Sequence, residues 1–281
     1  MLNRNPSLFL LIVSALFAGI GFLVYSSTES LISLIMLFTG VILGGTVLIF
    51  KKEINLWVNQ RSAKSLSVKE QQYLQENFRL MEHIPATLRP LFFKKVQLFI
   101  LDKEIISQDP SEKIYHPAVL ICAAYASFFE MKKHSIKAPF AHIPVYVFYG
   151  HAFPSPQFPK NLHISEYYEE DGALLFSVPH MIKGNEDPSR FLNIALYESA
   201  RVAANGNFES VEFPSLEKLC RFGGFTLAKM EEYLGLQKEY ISNKALAIAH
   251  FFTNTKRFQG EFPNIALLFQ EEYLDFSKMD R

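Results

Sequence analysis

The chain has few of the residues that announce redox chemistry, metal knuckles or nucleic-acid binding. Two cysteines, Cys122 and Cys220, occur in 281 residues, which excludes a disulfide framework and any cysteine-based zinc spacing. Both stand among apolar neighbours, where buried free thiols are usual. Charge of one sign is missing too. The 28 basic and 28 acidic residues cancel, and without a basic stripe there is no electrostatic footprint for nucleic acid. No glycine-rich phosphate loop is present, nor any internal repeat, charge block or low-complexity segment. His83, His116, His134, His142, His151, His163, His180 and His250 are scattered, with no pair at metal-ligand spacing, and each is expected to be a surface or satisfied core residue.

The most informative absence is local. From Ser7 to Tyr25 and from Leu31 to Phe50, nineteen and twenty residues carry no charge. At about 1.5 Å per helical residue each run covers roughly the 30 Å hydrocarbon layer. A cleaved signal peptide competes for the first run because Arg4 precedes it. That run is longer than a signal core, lacks a small-x-small site before a polar region, and is followed after five residues by the second. The expectation is a transmembrane hairpin in residues 1–50, with spans of about 7–25 and 31–50 in contact with the bilayer. Ser26-Ser27-Thr28-Glu29-Ser30 is then a tight turn, which puts both ends of the hairpin on one side. Arg4 precedes the first span and Lys51, Lys52, Arg61, Lys64 and Lys69 follow the second, against Glu29 alone in the turn, so the positive-inside rule places the main domain in the cytoplasm. Trp57 suits the interface or a core equally. Gly40 and Gly44, with Gly19 and Gly21, suit close helix packing.

Residues 51–66 read as a polar juxtamembrane connector. Ser67-Val68-Lys69-Glu70 has the form of a capping box and opens a domain of residues 67–281, large enough for one sizeable core. From Pro85 to about Lys103, Leu88, Leu91, Phe92, Val96, Phe99 and Ile100 predict an amphipathic helix with Arg89, Lys94 and Lys95 outside. Pro117 to about Met131 is apolar all round and therefore central. Ile143–Phe148 and Ala173–Ser177 are β-branched or aromatic runs bounded by Pro and Gly, which predicts a small sheet. Tyr167-Tyr168-Glu169-Glu170-Asp171 reads as an acidic, aromatic, solvated turn. Helical pattern returns from Arg190 to Asn205, then around 215–234, 239–253 and 263–276. The fold class is α+β, mostly helical with a minor sheet.

Within Arg190–Asn205 lies Tyr197-Glu198-Ser199-Ala200-Arg201. A zinc peptidase helix reads His-Glu-x-x-His, with two histidines one turn apart on one ion and the glutamate activating bound water. Here the glutamate stands in place between a tyrosine and an arginine. Around it, Ile84-Pro85, Arg89, Phe92, Val96 and Phe99, then Val119–Ala124, then Ile143–Phe148 with Phe153, then Gly172–Ser177, Gly184 and Asn193–Leu196 leading into Tyr197-Glu198, and finally Phe251-Phe252, Phe262-Pro263 and Tyr273 follow one order and spacing. Over nearly the whole soluble part the chain resembles the MtfA-like zinc metallopeptidases.

That resemblance implies a zincin-like domain with a degenerate site. Tyr197 and Arg201 replace the two histidine ligands, and the downstream glutamate ligand falls at about Ser242, with Glu239 three residues away. A phenol is a poor zinc ligand and Arg201 is a permanent cation. Tyr197, Glu198, Arg201 and Ser242 therefore form a vestigial site with no catalytic residue and no metal or cofactor, and Arg201, at i+3, is placed to pair with Glu198. The preferred expectation is a non-catalytic, membrane-tethered module for a protein or peptide partner at the bacterial inner membrane. The alternatives are an active zinc-dependent peptidase with ligands from Glu239, His180 or His250, and a scaffold subunit of a membrane complex.

Overall fold

A computed structural model of the chain describes residues 6–62, 66–108, 116–132, 139–155 and 161–276. Arg4, Lys64 and His134, and the side chains of Lys52 and Arg61, which entered the sequence reading, lie outside the described set. The chain divides into two compact units, Met1–Ala63 and Lys64–Arg281.

In the first unit, helices α1 (Pro6–Thr28) and α2 (Leu31–Ile49) are each long and apolar enough to cross a membrane. The first runs three residues further than its apolar stretch because the hydroxyls of Ser26, Ser27 and Thr28 bond back to the carbonyls of Leu23 and Val24, which lets polar residues extend a helix. Glu29, at φ 49°, makes the turn. The two helices bury Ser7, Ser14 and Gly21 of α1 and Ser33, Gly40 and Val47 of α2, a seven-residue spacing that keeps one seam facing a partner helix. A Cβ at Gly21 would stand 2.6 Å from the Leu37 nitrogen, and one at Gly40 2.6 Å from the Ala18 nitrogen. Gly19, by contrast, meets nothing within 4 Å, so it takes no part in the close approach expected of it. The stretch read as a connector is helical: α3 (Lys51–Ser62) lies against α1 and α2, and the Asn55 side chain accepts a hydrogen bond from the Ser7 backbone N–H at 3.0 Å.

The second unit is mostly helical around a small sheet. Helix α4 (Val68–Asn77) begins with the expected capping box, Ser67 Oγ accepting from Glu70 N and the Glu70 carboxylate accepting from Ser67 N. After 3-10 turns at Arg79–His83 and Ala86–Leu88, α5 spans Arg89–Asp102. Two of its residues depart from expectation. Lys95 is only 4% exposed and Leu91 is 37% exposed, because the buried arc is rotated toward Phe93, Lys95 and Leu98. The Lys95 ammonium satisfies itself by donating to the Glu130 carbonyl at 2.9 Å, its stem packed as apolar surface. Strand β1 (Glu104–Ser107) follows. Helix α6 (His116–Phe129) is buried from Ala118 to Phe129, as its all-round apolar character requires.

Strand β2 (Val145–Tyr149) leads to a short antiparallel pair, β3 (Phe153–Pro154) with β4 (Leu162–His163), and then to β5 (Ser165–Tyr168) and β6 (Ala173–Ser177). The main sheet has the order β1-β2-β6-β5, with β1, β2 and β6 parallel and β5 antiparallel on the edge. The two sequence-legible strands are the central ones. Tyr167 and Tyr168, read as part of a turn, belong to β5, and the turn is Glu169–Gly172. Gly172, at φ +60°, closes it where a Cβ would stand 2.6 Å from the His142 carbonyl oxygen.

Helix α7 (Val178–Glu186), unforeseen in the sequence, separates the sheet from α8 (Ile194–Ala204). Then come α9 (Leu216–Phe222) and α10 (Leu227–Leu234), split at Gly223-Gly224, a 3-10 turn at Lys238–Tyr240, and α11 (Asn243–Thr253). Helices α12 (Thr255–Glu261) and α13 (Pro263–Phe269) and a π turn at Gln270–Leu274 complete the unit. Cys122 and Cys220 are buried free thiols; burial pushes Cys220 up to about 11.

Candidate functional site

Helix α8 is delivered to the middle of the unit by a buried polar network at its start. The Asn193 side chain accepts from Leu196 N, capping the helix, and donates to Tyr125 Oη at 2.8 Å and to Asn185 Oδ1 at 3.3 Å. Tyr125 also donates to Asn185 Oδ1, and Asn185 donates to the Asn77 carbonyl. The helix so positioned packs on α6, α11 and β5. Every residue from Ile194 to Ala200 is buried.

The four residues singled out by the resemblance, Tyr197, Glu198, Arg201 and Ser242, come into one neighbourhood. Glu198 is 0% exposed. Its Oε1 accepts from the Ser165 hydroxyl at 2.8 Å, and its Oε2 lies 3.8 Å from Arg201 Nη1 with no hydrogen bond of its own. That separation is an ion pair but too long for a hydrogen bond. The Arg201 guanidinium also stands 5.6 Å from the centre of the Tyr167 ring. Tyr197 is fully buried and its phenol oxygen accepts from Ser242 N at 3.0 Å, while the Ser242 hydroxyl accepts from Ala245 N as the cap of α11. Next to Ser165 on β5, Glu166 is buried with Oε1 accepting from the Ser155 hydroxyl at 2.7 Å.

The electrostatics follow from burial. Loss of water lifts the Glu198 carboxyl above its ordinary value, opposed by Arg201 and the Ser165 bond and reinforced by Glu166. Burial disfavours the Arg201 charge, yet Glu198 first, with Tyr197 and Glu169, outweighs it and holds the guanidinium above its ordinary value. Burial raises the Tyr197 phenol, and Glu198 adds to the rise.

One cleft borders this neighbourhood, and a second is lined by none of its four residues. A shallow one of about 180 Å³ is lined by Tyr167, Glu169, Arg201, Asn205, Ser242 and Lys244; it touches the arginine but not Glu198. A wider one of about 570 Å³ is lined in part by His180, Arg190, Phe191, Phe225 and Tyr233. His180, on the first turn of α7, shares a hydrogen bond of 2.8 Å with Ser177 Oγ, and burial, with Lys183, holds its ring below its ordinary value. Ser177 is itself fully buried.

Zinc, the metal implied by the resemblance, does not fit these residues. The tyrosine oxygen is committed to a backbone N–H, the serine to a cap, and the remaining group is a cation beside the carboxylate. Glu239 is exposed on its 3-10 turn, His180 is bonded to Ser177, and His250 lines a different cavity. Among the described residues no group of three or more His, Cys, Asp or Glu side chains is arranged to hold a metal ion. Sequence reasoning missed Ser165, Glu166 and Ser155, because the polar edge strand gives no alternation and nothing marks its residues as neighbours of α8. Compared with known proteins, the chain matches no family model, no curated protein and no solved structure.

Proposed function

We propose that this chain is a membrane-anchored, non-catalytic relative of the MtfA-like peptidases, a zincin-like module that binds a protein or peptide at the cytoplasmic face of a bacterial inner membrane. The observation that carries the reading is the state of Glu198: fully buried, bonded to Ser165 and ion-paired with Arg201. A general base must come within hydrogen-bond reach of the proton it takes, and among the described residues this carboxylate is 0% exposed. The pair fills the place where the resemblance puts zinc, and the former active site holds the fold together instead.

Anchoring is supported by α1 and α2, whose outward residues, among them Leu8, Ile12, Leu16, Leu23, Ile32 and Ile42, are exposed and apolar and suit lipid. The basic residues after α2 support a cytoplasmic domain by the positive-inside rule. Peptide binding is supported by β5, which among the described residues has a strand neighbour on one side only and borders the cleft beside Arg201 and Ser242, a geometry that suits an extended chain. Tethering raises the module's local concentration toward partners on the same surface.

The test is a cleavage assay on the full chain in lipid nanodiscs, using casein and a fluorogenic peptide library. Neither the native protein nor Glu198→Gln is expected to cleave. Cleavage that disappears in Glu198→Gln would refute the reading.

A further inference from the structure

A third cavity, of about 310 Å³, opens near the C-terminal end of α11, away from Ser242 at its start. Small-molecule pockets begin at about that size. Its walls include Arg79 from the 3-10 turn after α4, Asp187 and Ser189 after α7, Phe222 at the end of α9, His250 on α11 and Arg257 on α12.

Both arginines are held in place by neutral groups. Arg79 donates from Nε to the Asn185 carbonyl at 3.0 Å and from Nη2 to the Glu186 carbonyl at 2.7 Å. Arg257 donates from Nη1 to the Phe222 carbonyl at 2.9 Å and lies 4.3 Å from the centre of the Phe222 ring. Among the described residues neither is ion-paired. Each guanidinium carries five N–H donors, so both keep donors to spare. Oriented arginines without carboxylates are what recognition of an oxyanion requires.

His250 supplies an independent observation. It is 6% exposed, and its Nε2 has no hydrogen-bond partner. The Leu219 carbonyl accepts from the other side of the ring, and burial, with Arg257 opposing a second cation, brings the ring down to about 4. The imidazole is therefore neutral, and Nε2 is an acceptor without a partner on a residue that lines the cavity, its ring edge packed beside Gly223, which lines the cavity too. Asp187 puts one negative charge on the wall, but its carboxylate is engaged by the Ser189 hydroxyl, and the two arginines leave the lining positive.

We propose that this cavity binds a phosphoryl group, with Arg79 and Arg257 on its unprotonated oxygens and His250 Nε2 accepting from its P–O–H. A phosphate or phosphomonoester in its monoanionic form carries both acceptors and one donor. A carboxylate carries acceptors alone and would leave the buried nitrogen unpaired. The inference stands on residues apart from the Glu198 site, and does not depend on the reading of that site.

The experiment is titration calorimetry on the full chain in detergent micelles at constant ionic strength, with glycerol 3-phosphate, inorganic phosphate and acetate as probes. Saturable binding of a phosphate probe is expected, with acetate weaker by about tenfold or more. Tighter binding of glycerol 3-phosphate identifies an ester as the occupant, and equal or tighter binding of inorganic phosphate identifies the free ion. Arg79→Gln and Arg257→Gln should each weaken binding about 10- to 100-fold, and Lys94→Gln, at an exposed position on α5, should leave it unchanged. The proposal is overturned if neither phosphate saturates at millimolar concentration, if acetate binds equally, if the folded arginine variants bind as the native chain does, or if Lys94→Gln weakens binding as much as they do. Should both arginine variants fail to fold, the His250 ring resonances of the native protein decide: a shift saturating with the calorimetric constant supports the site, and unmoved resonances reject it.

Discussion

Removing Arg201 should expose how helix α8 is stabilised. In Arg201→Met the carboxylate of Glu198 stays at 0% exposure while its cation 3.8 Å away is gone. The lost attraction is about 4 kcal/mol at an effective dielectric near 20, and breaking buried pairs costs about 3–5 kcal/mol in practice. Arg201 is 28% exposed along its side chain, so water screens part of the pair and the lower figure, about 3 kcal/mol, is expected at about pH 8. For a unit of this size that corresponds to a fall in Tm of about 6–12 °C. The loss must depend on pH. Glu198 titrates higher in the folded chain than its ordinary 4.5, so its burial costs least below that value, where it is protonated folded or unfolded, and stability falls as pH rises through the folded value. Without Arg201 the folded value rises further. The variant's deficit should therefore shrink to about 1 kcal/mol near pH 4, the residue of lost packing on Tyr167. Adding Glu198→Gln should recover most of the loss at about pH 8. Circular dichroism melts of the full chain in detergent, across this pH range, give the answer. A deficit under about 1 kcal/mol at pH 8, or one that does not vary with pH, would show that the carboxylate does not depend on Arg201.

Four further outcomes test the frame around that pair. Ser14→Cys with Gly44→Cys should form an intramolecular disulfide on mild oxidation, seen as a gel shift, because a Cβ at Gly44 stands 3.6 Å from that of Ser14, within the range a disulfide spans. Gly172→Ala should destabilise the second unit by about 2 kcal/mol or more in a denaturant melt, since the turn needs φ +60° and the methyl would meet the His142 carbonyl. Asn193→Ala removes both a helix cap and a buried partner of Tyr125, and should cost about 2–4 kcal/mol by the same measurement. Cys122 and Cys220, buried and raised above the ordinary thiol value, should resist maleimide in the folded chain at neutral pH and react after denaturation, as mass spectrometry will record.

The parts of the fold that were legible in the sequence are those where a strong local pattern agrees with its surroundings. The two uncharged runs, the all-apolar α6, the central strands β2 and β6, and the Ser67–Glu70 cap all stand close to where the residues put them. What was illegible depends on tertiary partners. Lys95 is inside because the Glu130 carbonyl, just past the end of α6, is there to receive it; β1 and β5 are strands because β2 and β6 pair with them. The same division holds at the site. Asn193, Gly172 and Gly184 carried much of the resemblance, and each has a structural duty: a cap, a left-handed turn, and a close approach in which a Cβ would stand 2.3 Å from the Leu192 carbonyl oxygen. The pairing of Glu198 with Arg201 was readable from helical spacing, whereas Ser165 and Glu166 arrive from a strand some thirty residues earlier with no pattern to announce them.

The central claim, that an ion pair and not a metal occupies the middle of this domain, is tested most directly by the zinc content of the full-length protein, purified without chelator and measured by plasma mass spectrometry after dialysis against zinc-containing buffer. The account predicts only trace zinc, unchanged in Glu198→Gln. Stoichiometric zinc that falls away in Glu198→Gln or Tyr197→Phe would contradict it.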